Sequence, residues 1–241
     1  MKKRIGRIVG GVLLAVLAVL LAGAAVFTDG SYRAEEEAYA AIRASGDGIT
    51  VTEQDGMLLF VPEGATKGLI FYPGARVQAE AYAPLMRRIA ERGAACVLVQ
   101  MPCNAALLNI NAADRVYDAL PQIEEWYIGG HSMGGAAAGS YAAGHADRVK
   151  GVALLGAYTT HTLDGLSALS VYGSEDHVLN RKNYETYRDN LPADATELVI
   201  EGGCHALFGN YGAQKGDGVP SVSAEEQQTV TADAIAQWMD V

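Results

Sequence analysis

The sequence predicts an α/β protein in which helices cover both faces of one mostly parallel, twisted sheet. Its 241 residues are 50% hydrophobic and 19% charged, a balance that excludes an intrinsically disordered chain. The apolar runs after position 48 are short and continuous, which is typical of strands buried on both faces. They alternate with segments of helical pattern, as the crossovers between parallel strands require.

The elements follow in order along the chain. A hairpin joins strands at 49–53 and 57–61, because Asp55-Gly56 favours a two-residue turn. Further strands are predicted at residues 68–72, 95–101, 126–128, 149–155, 169–172 and 197–200. Helices are predicted at residues 81–92, 114–123, 133–144, 181–190 and 224–239. The first of these helices is amphipathic, and Gly93 closes it.

The N-terminal segment is long enough to cross a membrane. Residues 8–27 form an uncharged apolar run of 20 residues, which spans about 30 Å as a helix. The basic cluster at positions 2–7 is expected to stay in the cytoplasm, so the rest of the chain lies outside. The alternative is a cleaved secretory signal, since Ala22-Gly23-Ala24 fits an A-x-A site. Both interpretations export the domain, either as a single-pass protein of the cell membrane or as a secreted one.

The remaining chain is acidic and divides into two parts. Residues 28–48 are predicted to be a juxtamembrane linker or helix, and residues 49–241 form the catalytic domain. Four of the 18 basic residues lie in positions 2–7 and no acid precedes Asp29, so the rest of the chain carries 14 basic and 28 acidic residues, a net charge of −14. Nucleic acid should repel such a surface, so no nucleic-acid partner is expected.

The most specific motif is Ile-Gly-Gly-His-Ser-Met-Gly at residues 128–134. It contains G-x-S-x-G between an apolar strand and a helix, where a sharp turn exposes a nucleophilic serine at the edge of the sheet. The turn also aims the backbone N–H of Met133 at the substrate oxyanion, so Ser132 is the candidate nucleophile. The alternative is a glycine-rich turn with an incidental serine.

Two later strands end in residues that complement a serine nucleophile. Asp176 and His205 each follow a predicted strand, and the carboxyl ends of parallel strands meet at one edge of the sheet. A serine nucleophile needs a base and an acid that orients the base. The chain order Ser132, Asp176, His205 is one in which this triad occurs. Glu175 is the rival acid and His177 a weaker rival base.

A second oxyanion donor is expected in the loop after the strand at 68–72. We assign the N–H of Ala75 to this role, together with that of Met133. Two interpretations of Arg76 stay open: a salt bridge to Glu80 one turn on, or capture of an anionic group of the substrate.

Candidate substrate contacts come from neighbouring loops. A glycine-rich stretch at 206–222 follows the candidate base, and long loops in compact domains are usually functional. With the segment 104–111, it forms the candidate pocket wall. The candidate substrate-binding residues are Arg76, Asn104, His161, Leu207, Phe208 and Tyr211. Packing of a surface loop is the alternative for this stretch.

From about Gly68 to its end, the sequence resembles the α/β-hydrolase superfamily. Within it, the chain is similar to small bacterial, often membrane-anchored hydrolases of the alpha/beta hydrolase fold-5 group, and distantly to dienelactone hydrolases. The stretches that carry the resemblance are FYPGARV, MPCNAALLN, GGHSMGG, YGSEDHV and GGCHALFGNYGAQKGDG. The resemblance implies an eight-stranded type of core and hydrolysis of ester bonds. Cap domains of the superfamily are commonly inserted after the strand at 149–155, where this chain has no room for a large one.

These observations favour a serine hydrolase that cleaves carboxylic esters or thioesters outside the membrane. A peptidase or an acyltransferase would share the triad, and a non-catalytic binding module on a hydrolase scaffold is the alternative from another class. The sequence contains no metal-ligand spacing, phosphate loop or dinucleotide fingerprint, so neither a metal nor a cofactor is expected. The expected partners are a small ester substrate and the membrane, through residues 8–27.

Two of the three cysteines follow strand ends at the predicted catalytic edge. Cys103 and Cys204 could therefore form a disulfide that holds the His205 loop, because exported proteins keep disulfides. Two free thiols are the alternative. Cys96 lies within a buried strand and is expected to pack as a small apolar residue.

Overall fold

A single eight-stranded sheet organises the domain. The computed structural model describes Gly23, residues 30–45 and residues 48–241. The strands are β1 (Ile49–Gln54), β2 (Met57–Pro62), β3 (Lys67–Tyr72), β4 (Ala95–Val99), β5 (Glu125–His131), β6 (Gly151–Leu155), β7 (Ser167–Gly173) and β8 (Thr196–Ile200). Their order in the sheet is β1-β2-β4-β3-β5-β6-β7-β8. β2 pairs antiparallel with β1 and β4, and every other pair is parallel.

Helices cover both faces of this sheet, as the sequence predicted. They are α1 (Glu36–Arg43), α2 (Ala83–Ala90), α3 (Val116–Ala119), α4 (Met133–Gly144), α5 (Arg181–Thr186) and α6 (Ala224–Met239). α1, α2 and α6 pack on one face with a core that includes Phe71 and Leu85, and α3 and α4 pack on the other with a core that includes Ile70 and Tyr141. The strands between are buried on both sides, which explains their continuous apolar sequences. The predicted fold class is confirmed.

Several element boundaries differ from the sequence-based prediction. The helix predicted at 114–123 is a 3₁₀ helix at Ile110–Arg115 followed by the single turn of α3. It ends at Leu120, which has φ −133° and ψ 68°, because a residue before proline disfavours the helical region and Pro121 follows. The helix predicted at 181–190 is divided into α5, which ends at Thr186, and a 3₁₀ helix at Arg188–Asn190.

The described residues contain no helix that is both long and apolar enough to cross a bilayer. Apart from Gly23, the predicted anchor or signal at residues 8–27 lies outside them. In the predicted linker, the structure places α1. β6 ends at Leu155 and β7 begins at Ser167, so their connection is too short to hold a cap domain.

Candidate active site

Ser132 occupies the sharp turn between β5 and α4. β5 ends at His131 and α4 begins at Met133. Ser132 itself has φ 55° and ψ −123°, a conformation that residues other than glycine adopt rarely and that costs about 1–3 kcal/mol. Its N–H donates to the carbonyl of Leu155 at 2.9 Å. This backbone holds the serine at the C-terminal edge of the sheet, as the G-x-S-x-G motif predicted.

The two motif glycines allow the turn to close. A Cβ on Gly130 would meet the backbone of Gly134, and a Cβ on Gly134 would overlap the carbonyl oxygens of Tyr72 and Pro73. The start of α4 therefore lies directly against the loop after β3. Only the absence of side chains permits this approach.

His205 and Asp176 form a buried pair. The ring nitrogen Nδ1 of His205 lies 2.8 Å from Oδ2 of Asp176, and the two residues are 1% and 2% exposed. The other carboxylate oxygen accepts bonds from the N–H groups of Val178 and Leu179, at 3.0 and 2.8 Å. Because Asp176 accepts the proton on Nδ1, the lone pair of a neutral His205 is on Nε2.

This pair lies beside the serine turn. A Cβ on Gly156 would lie 2.9 Å from Nδ1 of His205 and 3.0 Å from Oδ2 of Asp176, and the preceding residue, Leu155, binds the N–H of Ser132. Nε2 of His205 is buried and makes no hydrogen bond to any residue that the structure describes. Its lone pair is thus unoccupied; catalytic hydrogen bonds are often long before substrate binds.

The rival acid and base do not join this pair. Glu175 and His177 lie near one another, with 4.0 Å between Oε2 and Nε2; the side chain of His177 is exposed and that of Glu175 partly exposed. The structure thus pairs Asp176 with His205 and leaves these two neighbours at the surface.

A neutral histidine packs against the candidate base. The ring of His131 is centred 4.3 Å from that of His205. Burial lowers the pKa of His131 well below 6.5, and repulsion from His205 lowers it further. The hydroxyl of Tyr82 accepts the N–H of Gly74 at 3.1 Å and shares a hydrogen bond of 2.8 Å with Nδ1 of His131. The loop after β3 is thereby tied to the serine turn and, through ring contact, to His205.

One predicted oxyanion donor follows Ser132 directly, and the other lies in the loop that touches the start of α4. Ala75 follows Gly74 in the loop that touches α4, and Met133 is the first residue of that helix; both are half-buried. The next residue, Arg76, has φ 59°, and its N–H donates to the carbonyl of Asn104 at 2.8 Å. The loops after β3 and β4 therefore support one another.

One positioning residue was missed by the sequence analysis. Asp217 lies in the long loop after β8, and its carboxylate is only partly exposed. It accepts hydrogen bonds at 2.8–3.3 Å from the backbone N–H groups of His177, His205, Ala206 and Gly218. These donors come from the loops that carry both the candidate acid and the candidate base. A lone acid in a glycine-rich loop directly after the base was the signal available in the sequence.

The ionisation of Asp217 is favoured by its donors. Burial raises the pKa of this carboxyl, but bonds from the N–H of Ala206, the thiol of Cys204 and the N–H groups of Gly218 and His205 outweigh it, so the pKa lies below its usual 3.8. Burial, together with this carboxylate, raises the pKa of Cys204 to about 12. Cys204 is thus a protonated donor to Asp217.

The cysteines are not paired with one another. All three are free thiols; Cys103 is exposed, and Cys96 and Cys204 are buried. Of the two alternatives for Cys103 and Cys204, the structure contains the free thiols. The bond of Cys204 to Asp217 gives its side chain a different partner.

The candidate substrate contacts are distributed unevenly. Phe208 is fully buried with its ring centred 5.4 Å from that of His131, and Tyr211 is buried with its ring centred 6.3 Å from that of Tyr82. Leu207 is half-buried and His161 is exposed. Two others contact the segment that precedes α1: Arg76 donates to the carbonyl of Gly30, and Asn104 donates to the hydroxyl of Ser31. Their roles toward substrate stay predictions.

The Alpha/beta hydrolase family model matches residues 68–229. This range includes the serine turn and the buried Asp176–His205 pair. The chain belongs to the Alpha/beta hydrolase family. No curated protein matches the chain.

Solved structures with the same fold include several hydrolases. Dienelactone hydrolase from Anabaena variabilis is 16% identical, with a TM-score of 0.59 over 79% of this chain and 97% of its own. A membrane phospholipase A, described as a bacterial virulence factor, is 15% identical, with a TM-score of 0.57 over 100% of this chain and 98% of its own. A soluble variant of monoglyceride lipase from Saccharomyces cerevisiae is 12% identical, with a TM-score of 0.56 over 83% and 96%. At these identities the similarity establishes the fold.

Proposed function

We propose that the chain is a serine hydrolase of carboxylic esters that works through an acyl-enzyme. The observation that carries this proposal is the buried His205–Asp176 pair, at 2.8 Å, beside a serine held in a strained turn. A strained backbone and a buried pair of polar side chains both cost stability, and they occur together where a nucleophile and its base must be positioned. The names of the similar structures, which include a membrane phospholipase A and a monoglyceride lipase, support ester hydrolysis.

The proposed reaction begins when Oγ of Ser132 attacks the acyl carbon and Nε2 of His205 takes the hydroxyl proton. Asp176 holds the imidazole in the required tautomer and stabilises its positive charge. The N–H groups of Ala75 and Met133 bind the tetrahedral oxyanion, a type of donor worth about 2.7–4 kcal/mol in the transition state.

Collapse of this intermediate breaks the ester C–O bond. His205 returns the proton to the leaving alkoxide, which departs as an alcohol. Water then gives its proton to His205 and attacks the acyl-enzyme, which releases the acid and regenerates Ser132. Thioesters react by the same steps. The acidic domain carries out this reaction outside the cytoplasm if residues 8–27 direct export, as their sequence indicates.

The test is a pair of serine variants. Ser132→Ala should lower kcat for 4-nitrophenyl butyrate by about 10⁴-fold or more, because it removes the nucleophile. It should also abolish labelling by a fluorophosphonate probe. Ser140→Ala, in the helix that follows, is the matched control and should keep both properties. A non-catalytic binding module would show no labelling of the wild-type chain, and activity that survives Ser132→Ala in a clean preparation would refute the assignment.

A further inference from the structure

An ordered segment connects the predicted anchor to the candidate oxyanion loop. We call residues 30–35 the N-terminal strap. The guanidinium of Arg76 donates to the carbonyl of Gly30 at 2.7 Å. The N–H of Tyr32 donates to the carbonyl of Arg76 at 2.6 Å, and the N–H of Gln78 donates to the carbonyl of Tyr32 at 3.0 Å. The strap is therefore paired, strand-like, with the residues that follow Ala75.

The strap also contacts two other loops of the catalytic edge. The hydroxyl of Ser31 accepts a bond of 3.4 Å from the side-chain amide of Asn104, in the loop after β4. The N–H of Glu35 donates to the carbonyl of Asn210 at 2.9 Å, and the ring of Tyr32 is centred 5.5 Å from that of Tyr211. Both partners lie in the loop after β8. The strap thus fixes where the N-terminal chain leaves the domain: at the edge that carries Ser132.

The chain available between the strap and the apolar run is short. Residues 8–27 end three positions before Gly30, and three residues reach at most about 10–11 Å. The headgroup region on each side of a bilayer is about 5–8 Å thick. If the apolar run spans a membrane, the catalytic edge is held at or just above the headgroups.

The surface of this edge suits a lipid interface. Six large hydrophobic residues are exposed in the described part of the chain, and three of them, Leu107, Leu108 and Val219, lie in the loops after β4 and β8. Leu107 and Leu108 are 52% and 64% exposed, and the stretch 101–113 around them contains no charged residue. An uncharged apolar tip on a chain that carries a net charge of −14 after position 7 matches a bilayer interface better than a polar partner.

We propose that the catalytic edge lies against the bilayer and that the substrate is an acyl ester of a membrane lipid, which reaches Ser132 from the lipid surface. The ester carbonyls of such lipids lie between headgroups and acyl chains, directly beneath the level at which the strap holds the edge. This inference rests on the proposed ester hydrolysis and on a retained anchor at residues 8–27.

The position of the catalytic edge relative to the bilayer can be measured without an assay of enzyme activity. Cys103 is exposed in the loop after β4, whereas Cys96 and Cys204 are buried, so a nitrobenzoxadiazole dye can be attached to Cys103 in the folded full-length chain. In phosphatidylcholine vesicles we expect a blue-shifted emission and at least twofold quenching by doxyl-labelled lipids. The control is the same dye at Glu63→Cys in a Cys103→Ser background, since Glu63 is exposed in the turn before β3, at the opposite edge. Equal, weak quenching at both positions would overturn the proposal, and so would an intact mass that begins near Ala25.

The substrate class is tested with two esters. Methylumbelliferyl oleate is presented in the vesicles and methylumbelliferyl acetate in solution, and the ratio of the two kcat/KM values is compared. Leu107→Ser/Leu108→Ser should lower this ratio by at least tenfold, whereas the control Val199→Ser/Val230→Ser, exposed valines of β8 and α6, should keep it. An unchanged ratio in the leucine variant overturns the lipid substrate. If neither ester is cleaved while the Cys103 dye is still quenched, the proposed hydrolase function fails and the membrane contact stands.

Discussion

Asp217→Asn tests whether the long loop after β8 positions the candidate base. The substitution keeps the size of the side chain and removes its charge. Oδ1 of Asp217 accepts three N–H groups, those of His177, His205 and Gly218, and Oδ2 accepts the N–H of Ala206 at 2.8 Å. An asparagine has one acceptor oxygen for these four donors.

The expected loss of stability follows from that count. If the amide oxygen replaces Oδ1, the amide NH₂ faces the N–H of Ala206, and a donor left unsatisfied costs about 1–3 kcal/mol. Three remaining bonds change from charged to neutral acceptors, which weakens each of them. Because the side chain is partly exposed, water replaces some of this loss. We expect a decrease of about 2–3 kcal/mol in the free energy of unfolding.

The assay combines urea unfolding with ester hydrolysis under conditions in which the variant is folded. We expect kcat to fall by about 10–100-fold with little change in KM, because a displacement of about 1 Å at a catalytic group has an effect of this size. The stability difference between wild type and variant should begin to shrink as the pH falls below about 3.8 and should be smallest below the folded pKa of Asp217. Since the pKa of Asp217 is lowered in the folded state, its contribution is present above the unfolded value of 3.8 and is lost as the pH falls through the folded value.

Asp194→Asn is the matched control, since Asp194 is exposed and loses the same charge. If both variants lose the same stability, net charge explains the effect and the hydrogen bonds do not. If Asp217→Asn is less stable but keeps full kcat while folded, the carboxylate supports the loop without positioning His205.

Two further predictions concern the serine turn. His131 has a pKa well below 6.5 in the folded state, so below pH 6.5 its side chain is protonated in the unfolded chain but not in the folded one. The free energy of unfolding should therefore decrease below pH 6.5 by up to about 1.4 kcal/mol per pH unit. His131→Phe should flatten this slope in urea titrations from pH 7 to 5, whereas the exposed His161→Gln should not; equal slopes in all three proteins would contradict the assignment. Gly134→Ala should cost about 2–3 kcal/mol, because its Cβ overlaps two carbonyl oxygens. Gly144→Ala, in the same helix with open space at its Cβ, should be neutral or stabilising by up to about 1 kcal/mol. If both variants lose the same stability, helix propensity explains the effect and the close approach at Gly134 does not.

The sequence was most informative where a residue follows a strand. Ser132, Asp176 and His205 each come after a continuous apolar run, and topology alone brings the carboxyl ends of parallel strands to one edge. The structure places these three residues there and joins two of them. An apolar run followed by a polar residue is a local pattern, so it can be recognised in the sequence without knowledge of tertiary contacts.

The contributions that were missed depend on tertiary contacts. Asp217 acts through backbone N–H groups of two separate loops, and no sequence pattern encodes such a set of donors. The strap pairs with the loop after β3 because the backbone of Tyr32 forms hydrogen bonds with Arg76 and Gln78, more than 40 positions away in the sequence. The prediction of a helix at 114–123 was wrong because Pro121 ends the helix early and a 3₁₀ helix takes the place of its first turn.

The order of the strands places the candidate nucleophile and the candidate base in parts of the sheet that differ in local stability. Ser132 follows β5, which lies between β3 and β6 near the middle of the sheet, whereas His205 follows β8, the outermost strand, which pairs with β7 alone. Most of β8 is exposed, and edge segments of this kind open in local fluctuations smaller than global unfolding. The candidate nucleophile thus lies at the centre of the sheet and the candidate base beside one of its edge strands. We therefore expect heat or denaturant to separate His205 from Ser132 while the central strands are still folded.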